Sequence, residues 1–133
     1  MPFRYYNAHP YQLEVDDCVK RSITVTTGMD YMDVQRGLNQ HKKITGAKKF
    51  NSDGNPRSYE ENVLGFQRAA IPKKADGTRV TADEFCKAHP RGRFIISISG
   101  HWSAVINGTI LDTWDCGNKE LLSYYAVTPV NRE

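Results

Sequence analysis

The chain carries three thiols that could act as nucleophiles, Cys18, Cys86 and Cys116. A cysteine attacks only as the thiolate, and a helix N-terminus favours this form because its N–H groups and dipole stabilise negative charge. Cys18 directly follows Asp16 and Asp17, which are good residues for a helix start, so Cys18 is predicted to hold that position. A buried cysteine more often serves as a small apolar residue, and this is our interpretation of Cys86 and Cys116.

A predicted hairpin brings a base and a carboxylate together. The turn signal Asn107-Gly108 pairs the strand that begins near His101 with the strand that contains Asp112 and Trp114. Because side chains alternate between the faces of a strand, these three project to one side, with His101 and Asp112 as diagonal neighbours. Asp115 projects to the other side. The register therefore selects Asp112 as the carboxylate that fixes the histidine tautomer, and Trp114 is expected to cover the pair from water.

A fourth candidate concerns the negative oxygen that forms when a thiolate attacks a carbonyl. Such an oxygen needs preorganised donors, usually a backbone N–H at the nucleophile and one side-chain amide. Gln12, six residues before Cys18, can supply that amide. A glutamine in an N-terminal loop is ordinarily a solvated residue, so its spacing from Cys18 is the observation that makes it a candidate.

Three motifs together resemble those of a known family. They are QLEVDDC at Gln12–Cys18, GHW at Gly100–Trp102 and DTW at Asp112–Trp114. Taken in this order, they resemble the papain-like superfamily of cysteine peptidases. The spacing of the glutamine from the cysteine, and the aspartate Asp17 before the cysteine, are most similar to peptidase domains that remove double-glycine leader peptides. Similar small domains occur in phage and bacterial proteins.

The resemblance implies a cysteine hydrolase, either a peptidase or an amidase, that acts by acyl transfer on a peptide or protein substrate. In that chemistry Cys18 attacks the carbonyl, His101 takes and returns the proton, and Asp112 orients His101. Gln12 and the Cys18 N–H stabilise the oxyanion, and no metal or cofactor is needed. Water as acceptor gives hydrolysis and an amine gives transferase activity, and both stay open. Supporting roles fall to Asp17 and Trp114.

A catalytically silent papain-like domain is the first alternative. Because a fold does not determine a function, a small domain can keep such a site and use its surface as a protein-binding or inhibitory module. The presence of all four motif residues argues against this alternative.

The charge of the chain gives little support to a nucleic-acid partner. Its 18 lysines and arginines against 15 acidic residues leave a formal net charge of +3, and its basic clusters lack interleaved aromatic residues. We interpret these clusters as a solvated helix end and loop. They are His41-Lys42-Lys43, Lys48-Lys49, and Lys73-Lys74 with Arg79.

The cysteines and histidines do not form a metal-binding pattern. An odd number of cysteines without a CxxC pair argues against a zinc site and against a disulfide framework. The histidines lack ligand spacing such as HExxH. They are His9, His41, His89 and His101. We therefore expect no metal and no other cofactor.

The hydropathy of the chain predicts no membrane segment. No apolar run approaches the length of about 18 residues that a membrane helix requires, and no apolar stretch of the signal-peptide type follows Met1. We expect a cytoplasmic protein of a bacterial or host cell. The sequence leaves the oligomeric state open.

The order of the predicted elements indicates an α+β fold in one domain, residues 1–133, with N-terminal helices packed on a C-terminal antiparallel sheet. The segment before Cys18 is predicted to be irregular. The β-branched run Ile23–Thr27 favours a strand, but the aspartates before Cys18 and Gly28 after Thr27 favour a helix, which we prefer. Asp30 is expected to cap a second helix that ends near residues 40–43.

The remaining elements follow from turn and strand signals. Residues 44–79 are predicted to be a loop with one short strand or helix, and Thr81 with Glu84 forms a capping box that opens a short helix. Four strands are predicted in the C-terminal third. They are Arg93–Ser99, Trp102–Ile106, Thr109–Trp114 and Tyr124–Val127.

Overall fold

A mixed sheet organises residues 3–13 and 15–130, the part of the chain that the computed structural model describes. Within this part the sheet has six strands in the order β1-β5-β4-β3-β6-β2. Neighbouring strands are antiparallel except β1 and β5, which are parallel. The strands are β1 Phe3–Tyr5, β2 Arg68–Ala70, β3 Arg93–Ile98, β4 His101–Ile106, β5 Thr109–Asp112 and β6 Ser123–Ala126.

Four α-helices complete the α+β fold of the described residues, and this class confirms the sequence prediction. They are α1 Cys18–Thr27, α2 Tyr31–Thr45, α3 Asn55–Ser58 and α4 Ala82–Ala88, and a π-helical turn, Tyr59–Val63, continues α3. The capping box predicted at Thr81 and Glu84 is present and opens α4. Residues 44–79 contain both a helical segment and the strand β2.

The sheet is covered on both faces, which is why its central strands are buried. Ile95 belongs to a core cluster with residues of α1 and α2, including Ile23 and Leu38, and each of these three side chains is fully buried. The next residue along β3, Ile96, belongs to the other cluster, with Phe85 of α4. The pleat directs neighbouring side chains to opposite faces, so α1 and α4 lie on opposite sides of the sheet.

Helix α1 forms despite its β-branched residues. The Thr26 and Thr27 hydroxyls donate to carbonyls one turn earlier, those of Ser22 and Ile23, so both buried hydroxyls have partners inside the helix. Gly28 then ends the helix in the left-handed conformation, with φ 76°. Burial of the apolar face of α1 outweighs the local preference for a strand, and the helix prediction is confirmed.

Two sequence predictions about the fold are wrong. The segment before Cys18 is not wholly irregular, because β1 pairs in parallel with β5 and makes the sheet mixed rather than antiparallel. β1 has only three residues, too few for a periodic pattern to reveal it. Helix α2 continues to Thr45 instead of ending at residues 40–43, and Gly46, with φ 76°, terminates it.

The hairpin between β4 and β5 positions the candidate site. Its predicted register is confirmed, since Ile106 pairs with Thr109 and the next two pairs follow in step. Asn107 and Gly108 both have positive φ, 49° and 76°, as the primed two-residue turn requires. The turn fixes the relative position of residues at the far ends of both strands.

Candidate active site

Cys18 is the first residue of α1 and is half-buried. It lines an open cavity of about 390 Å³ together with His101, Trp102, Asn51 and other residues. The other two cysteines are inaccessible within the described structure. Burial raises the pKa of both Cys86 and Cys116 to about 11, which keeps their thiols protonated at neutral pH. Cys18 is therefore the thiol that a substrate can reach.

His101 stands at the start of β4 and is held by a carboxylate of β5. Its Nε2 lies 2.6 Å from Asp112 Oδ2, and the Ser103 hydroxyl donates to the same oxygen at 2.6 Å. An ionised carboxylate is only an acceptor, so Nε2 carries the proton of this hydrogen bond. Cys18 lines the same cavity as His101, and its interaction with the imidazole raises the pKa of His101.

The environment of the pair favours a charged histidine and a charged aspartate. Burial alone would lower the pKa of His101, but hydrogen bonds with Asp112 and Cys18 and their negative charges outweigh burial and raise that pKa to about 9. Burial would likewise raise the pKa of Asp112, but hydrogen bonds with His101 and Ser103, the charge of His101 and the Arg21 guanidinium lower it to about 2. At neutral pH the pair is an imidazolium and a carboxylate.

These pKa shifts set the pH range in which the pair stabilises the fold. The raised pKa of His101 contributes stability that is complete below its ordinary pKa of 6.5 and is lost as the pH rises through about 9. The lowered pKa of Asp112 contributes stability that is complete above 3.8 and is lost as the pH falls toward about 2. The contribution of the pair is therefore greatest between pH 3.8 and 6.5.

The first prediction concerns the ionisation of His101. Substitution Asp112→Asn removes the charge that stabilises the imidazolium, so the pKa of His101 should fall from about 9 toward 6.5. The measurement is the pH dependence of the His101 ring resonances by NMR in both proteins. Ser103→Ala, which keeps the carboxylate, is the matched control and should change this pKa much less. A midpoint that is the same in the wild type and in Asp112→Asn would contradict the coupling.

A buried arginine joins the helix of Cys18 to the strand of Asp112. Arg21 Nε donates to Asp17 Oδ1 at 2.6 Å, and Nη1 donates to Asp112 Oδ1 at 2.9 Å and to Thr113 Oγ1 at 3.2 Å. The Tyr31 hydroxyl donates to the other oxygen of Asp17 at 2.7 Å. Sequence reasoning overlooked Arg21, although its spacing of four residues from Asp17 on a predicted helix is a signal for an ion pair.

Asp17 lies where the sequence places it, just before the helix, but its side chain has another partner. A residue at this position ordinarily accepts from first-turn N–H groups, yet the Asp17 carboxylate makes no capping hydrogen bond. It is 1% exposed and turns inward to Arg21 and Tyr31. The N-terminus of α1 beside Cys18 is consequently not covered by this carboxylate.

Trp114 packs against His101 from two residues beyond β5, because that strand ends at Asp112 and not at Trp114 as the sequence predicts. The two ring centroids are 5.0 Å apart in an edge-to-face arrangement, and Trp114 remains 44% exposed. Lys119 Nζ lies 6.0 Å from the indole ring on the outside. The indole therefore shields one side of the imidazole and leaves its own outer surface accessible to solvent or substrate.

Gln12 lies in the loop before α1 and uses its amide within that loop. Its Nε2 donates to the carbonyls of Asn7 and His9 at 3.1 and 3.2 Å, and its backbone φ is 58°. Its side chain is exposed and is not among the residues that line the cavity of Cys18. The structure thus brings Cys18, His101 and Asp112 together and leaves Gln12 outside the cluster.

A larger cavity of about 540 Å³ lies on another side of α1, against Thr24 and Tyr31, and it contains none of the three candidate residues. Residues 3–13 and 15–130 contain no group of three or more potential metal ligands. No helix within these ranges has the length and hydropathy needed to span a bilayer.

The chain was compared with protein-family models, with curated proteins and with solved structures. None of the three comparisons finds a match.

Proposed function

We propose that the chain is a cysteine hydrolase, a peptidase or amidase of the papain-like type, that transfers acyl groups through Cys18, His101 and Asp112. The observation that carries the proposal is the imidazole of His101, which is held at Nε2 by Asp112 and whose pKa is raised by Asp112 and Cys18. Cys18 and His101 also line the same open cavity. A nucleophile, a base and the group that orients the base thus meet where a substrate can enter.

The first half of the reaction forms an acyl-enzyme. The Cys18 thiolate attacks the carbonyl carbon of a peptide or amide, and the carbonyl oxygen becomes negatively charged. The backbone N–H of Cys18, at the N-terminus of α1, is placed to donate to that oxygen. The His101 imidazolium then gives its Nδ1 proton to the leaving nitrogen. The carbon–nitrogen bond breaks, the amine departs and a thioester to Cys18 remains.

The second half of the reaction releases the acyl group. His101, now neutral, takes a proton from water, and the resulting hydroxide attacks the thioester carbonyl. The carbon–sulfur bond breaks, the carboxylic acid leaves and the thiolate–imidazolium pair is restored. An amine that takes the place of water would give a transferase by the same steps. Asp112 stays ionised throughout, because its pKa is lowered to about 2, and keeps the imidazole oriented.

The papain-like part of the proposal is supported by order and placement. The cysteine begins a helix, and the histidine and aspartate follow on adjacent strands of a sheet that packs on this helix. The motifs that resemble the family contain the same three residues. Gln12 joins the oxyanion site only after its amide leaves the carbonyls of Asn7 and His9.

The proposal is tested by the alkylation of Cys18 with iodoacetamide at neutral pH, quantified by peptide mass spectrometry. Cys18 should react much faster than a free thiol, and Cys86 and Cys116 serve as internal controls that should stay unlabelled because they are buried. His101→Ala should slow the labelling of Cys18 by about 100-fold, because the imidazolium no longer stabilises the thiolate.

The opposite outcome would favour the alternative of a silent domain. If Cys18 reacts no faster than a free thiol, and His101→Ala leaves the rate unchanged, the residues do not form a nucleophile–base pair. The chain would then be interpreted as a binding or inhibitory module.

A further inference from the structure

Arg21 is a buried charge that the hydrolytic reaction itself does not require. Its side chain is 10% exposed, and it forms ion pairs with two carboxylates that are almost completely buried, Asp17 and Asp112. Removing charges from water costs free energy, and hydrophobic residues of similar size often serve a core equally well. Three buried charges beside the cavity of Cys18 therefore call for an explanation other than stability.

Asp112 is held at both of its carboxylate oxygens. Its Oδ2 accepts from His101 and Ser103, whereas its Oδ1 accepts from Arg21 and from the Thr113 backbone N–H at 2.6 Å. Both oxygens are occupied, so the carboxylate cannot rotate away from the imidazole without breaking a bond to Arg21.

Arg21 lies on the same helix as the proposed nucleophile. It lies three residues after Cys18, about one turn along α1, and its partner Asp112 lies on β5. The ion pair therefore links the element that carries the nucleophile with the strand that carries the carboxylate. His101 is held to the same carboxylate, so this link also ties the histidine to the helix of the nucleophile.

The Asp17 carboxylate is directed into the core. As the residue before the helix, Asp17 would ordinarily place its carboxylate over the first-turn N–H groups. Such a carboxylate would repel both a thiolate at Cys18 and an oxyanion formed there. Arg21 at 2.6 Å and Tyr31 at 2.7 Å hold it in the core instead.

We propose that Arg21 is a positioning residue that holds Asp112 against His101 and keeps the Asp17 carboxylate away from the N-terminus of α1. This inference rests on the proposed function. Arg21 acts through the two aspartates that it binds, and not by contact with the thiol or the substrate. Loss of Arg21 should therefore change the ionisation and the geometry of the Cys18–His101 pair.

The charged and titratable groups around Asp112 come from three parts of the fold. His101 faces it from β4, Arg21 faces it from α1, and Cys116, whose pKa the Asp112 charge helps to raise, lies in the loop after β5. Loss of the guanidinium raises the pKa of Asp112, because one of the hydrogen bonds that lowers it is removed. The Asp17 charge in turn favours the protonated forms of Arg21, Tyr31 and Lys20.

The experiment is the pH profile of Cys18 alkylation by iodoacetamide, measured in the full chain. In Arg21→Met the plateau rate should fall by about 10-fold, and the acid limb should move to higher pH by about one unit. Arg21→Lys keeps a positive charge and should recover part of both effects. The matched control is Arg36→Met, since Arg36 pairs with Asp33 on the exposed surface of α2 and should leave the profile unchanged.

A second variant covers the case in which Arg21→Met does not fold. Tyr31→Phe keeps the buried ring and removes only the hydroxyl that holds Asp17, so it should shift the acid limb in the same direction by a smaller amount. Folding of each variant is checked by near-ultraviolet circular dichroism. A folded Arg21→Met with the wild-type profile, or an unchanged profile in Tyr31→Phe when Arg21→Met does not fold, overturns the inference. If wild-type alkylation does not depend on His101, it is the proposed function that fails.

Discussion

Cys18→Ala is expected to abolish turnover of an activated ester such as p-nitrophenyl acetate, with a fall in kcat/KM of about 10⁴-fold or more. The reason is that no other accessible thiol lines the cavity, and His101 without a nucleophile can only assist water. The release of p-nitrophenol at neutral pH is the measurement. Because Cys18 is half-buried at a helix end, the substitution should leave the fold intact.

The matched control for this prediction is Cys86→Ala. Cys86 lies in α4, in the core cluster on the opposite side of the sheet from α1, and its thiol is buried. This variant should keep wild-type turnover even if it is somewhat less stable. Equal residual turnover in Cys18→Ala and the wild type would show that the ester is cleaved elsewhere on the molecule.

Asp112→Ala is expected to lower the free energy of unfolding by about 3–5 kcal/mol at neutral pH, because it leaves the buried Arg21 charge without one of its two carboxylates. Two further donors, His101 and Ser103, also lose their acceptor. Urea denaturation followed by fluorescence gives the value. Asp112→Asn retains the shape and one acceptor oxygen, so its loss of stability should be smaller.

Asp33→Ala is the control for the stability prediction. Asp33 also pairs with an arginine, Arg36, but both side chains are more than half exposed. Exposed ion pairs contribute roughly 0–1 kcal/mol, so this substitution should have a small effect. A loss in Asp112→Ala no larger than that in Asp33→Ala would be inconsistent with a buried charge network.

The part of the site that the sequence predicts correctly is local. His101 and Asp112 are separated by eleven residues and by one two-residue turn, so the turn type fixes the strand register, and the register fixes their proximity. Helix α1 is equally local, because its start after Asp17 and its end at Gly28 are marked by neighbouring residues.

The parts that the sequence does not predict depend on contacts between distant segments. Arg21 and Asp112 are 91 residues apart, and no local pattern indicates that they meet. β1 is too short to show a periodicity, and its partner β5 lies more than a hundred residues away. The direction of the Asp17 side chain likewise cannot be predicted from the sequence. An aspartate before a helix is the same residue whether it caps the helix or pairs with a buried arginine.

Gln12 illustrates a limit of spacing as an argument. Its distance in sequence from Cys18 matches a family pattern, but the loop between them determines where the amide points. In the structure Gln12 has a positive φ, and its amide donates to the carbonyls of Asn7 and His9. A spacing predicts a role only when the backbone between two residues is regular.

The central claim, acyl transfer at Cys18, is tested most directly by detecting the covalent intermediate. Wild-type protein is mixed with p-nitrophenyl acetate, quenched in acid at successive times and analysed by peptide mass spectrometry. We expect an acetyl group on Cys18 that forms rapidly and then disappears, and whose disappearance is slowed in His101→Ala. Acetylation confined to lysines, or an acetyl group that stays on Cys18 without turnover, would contradict it.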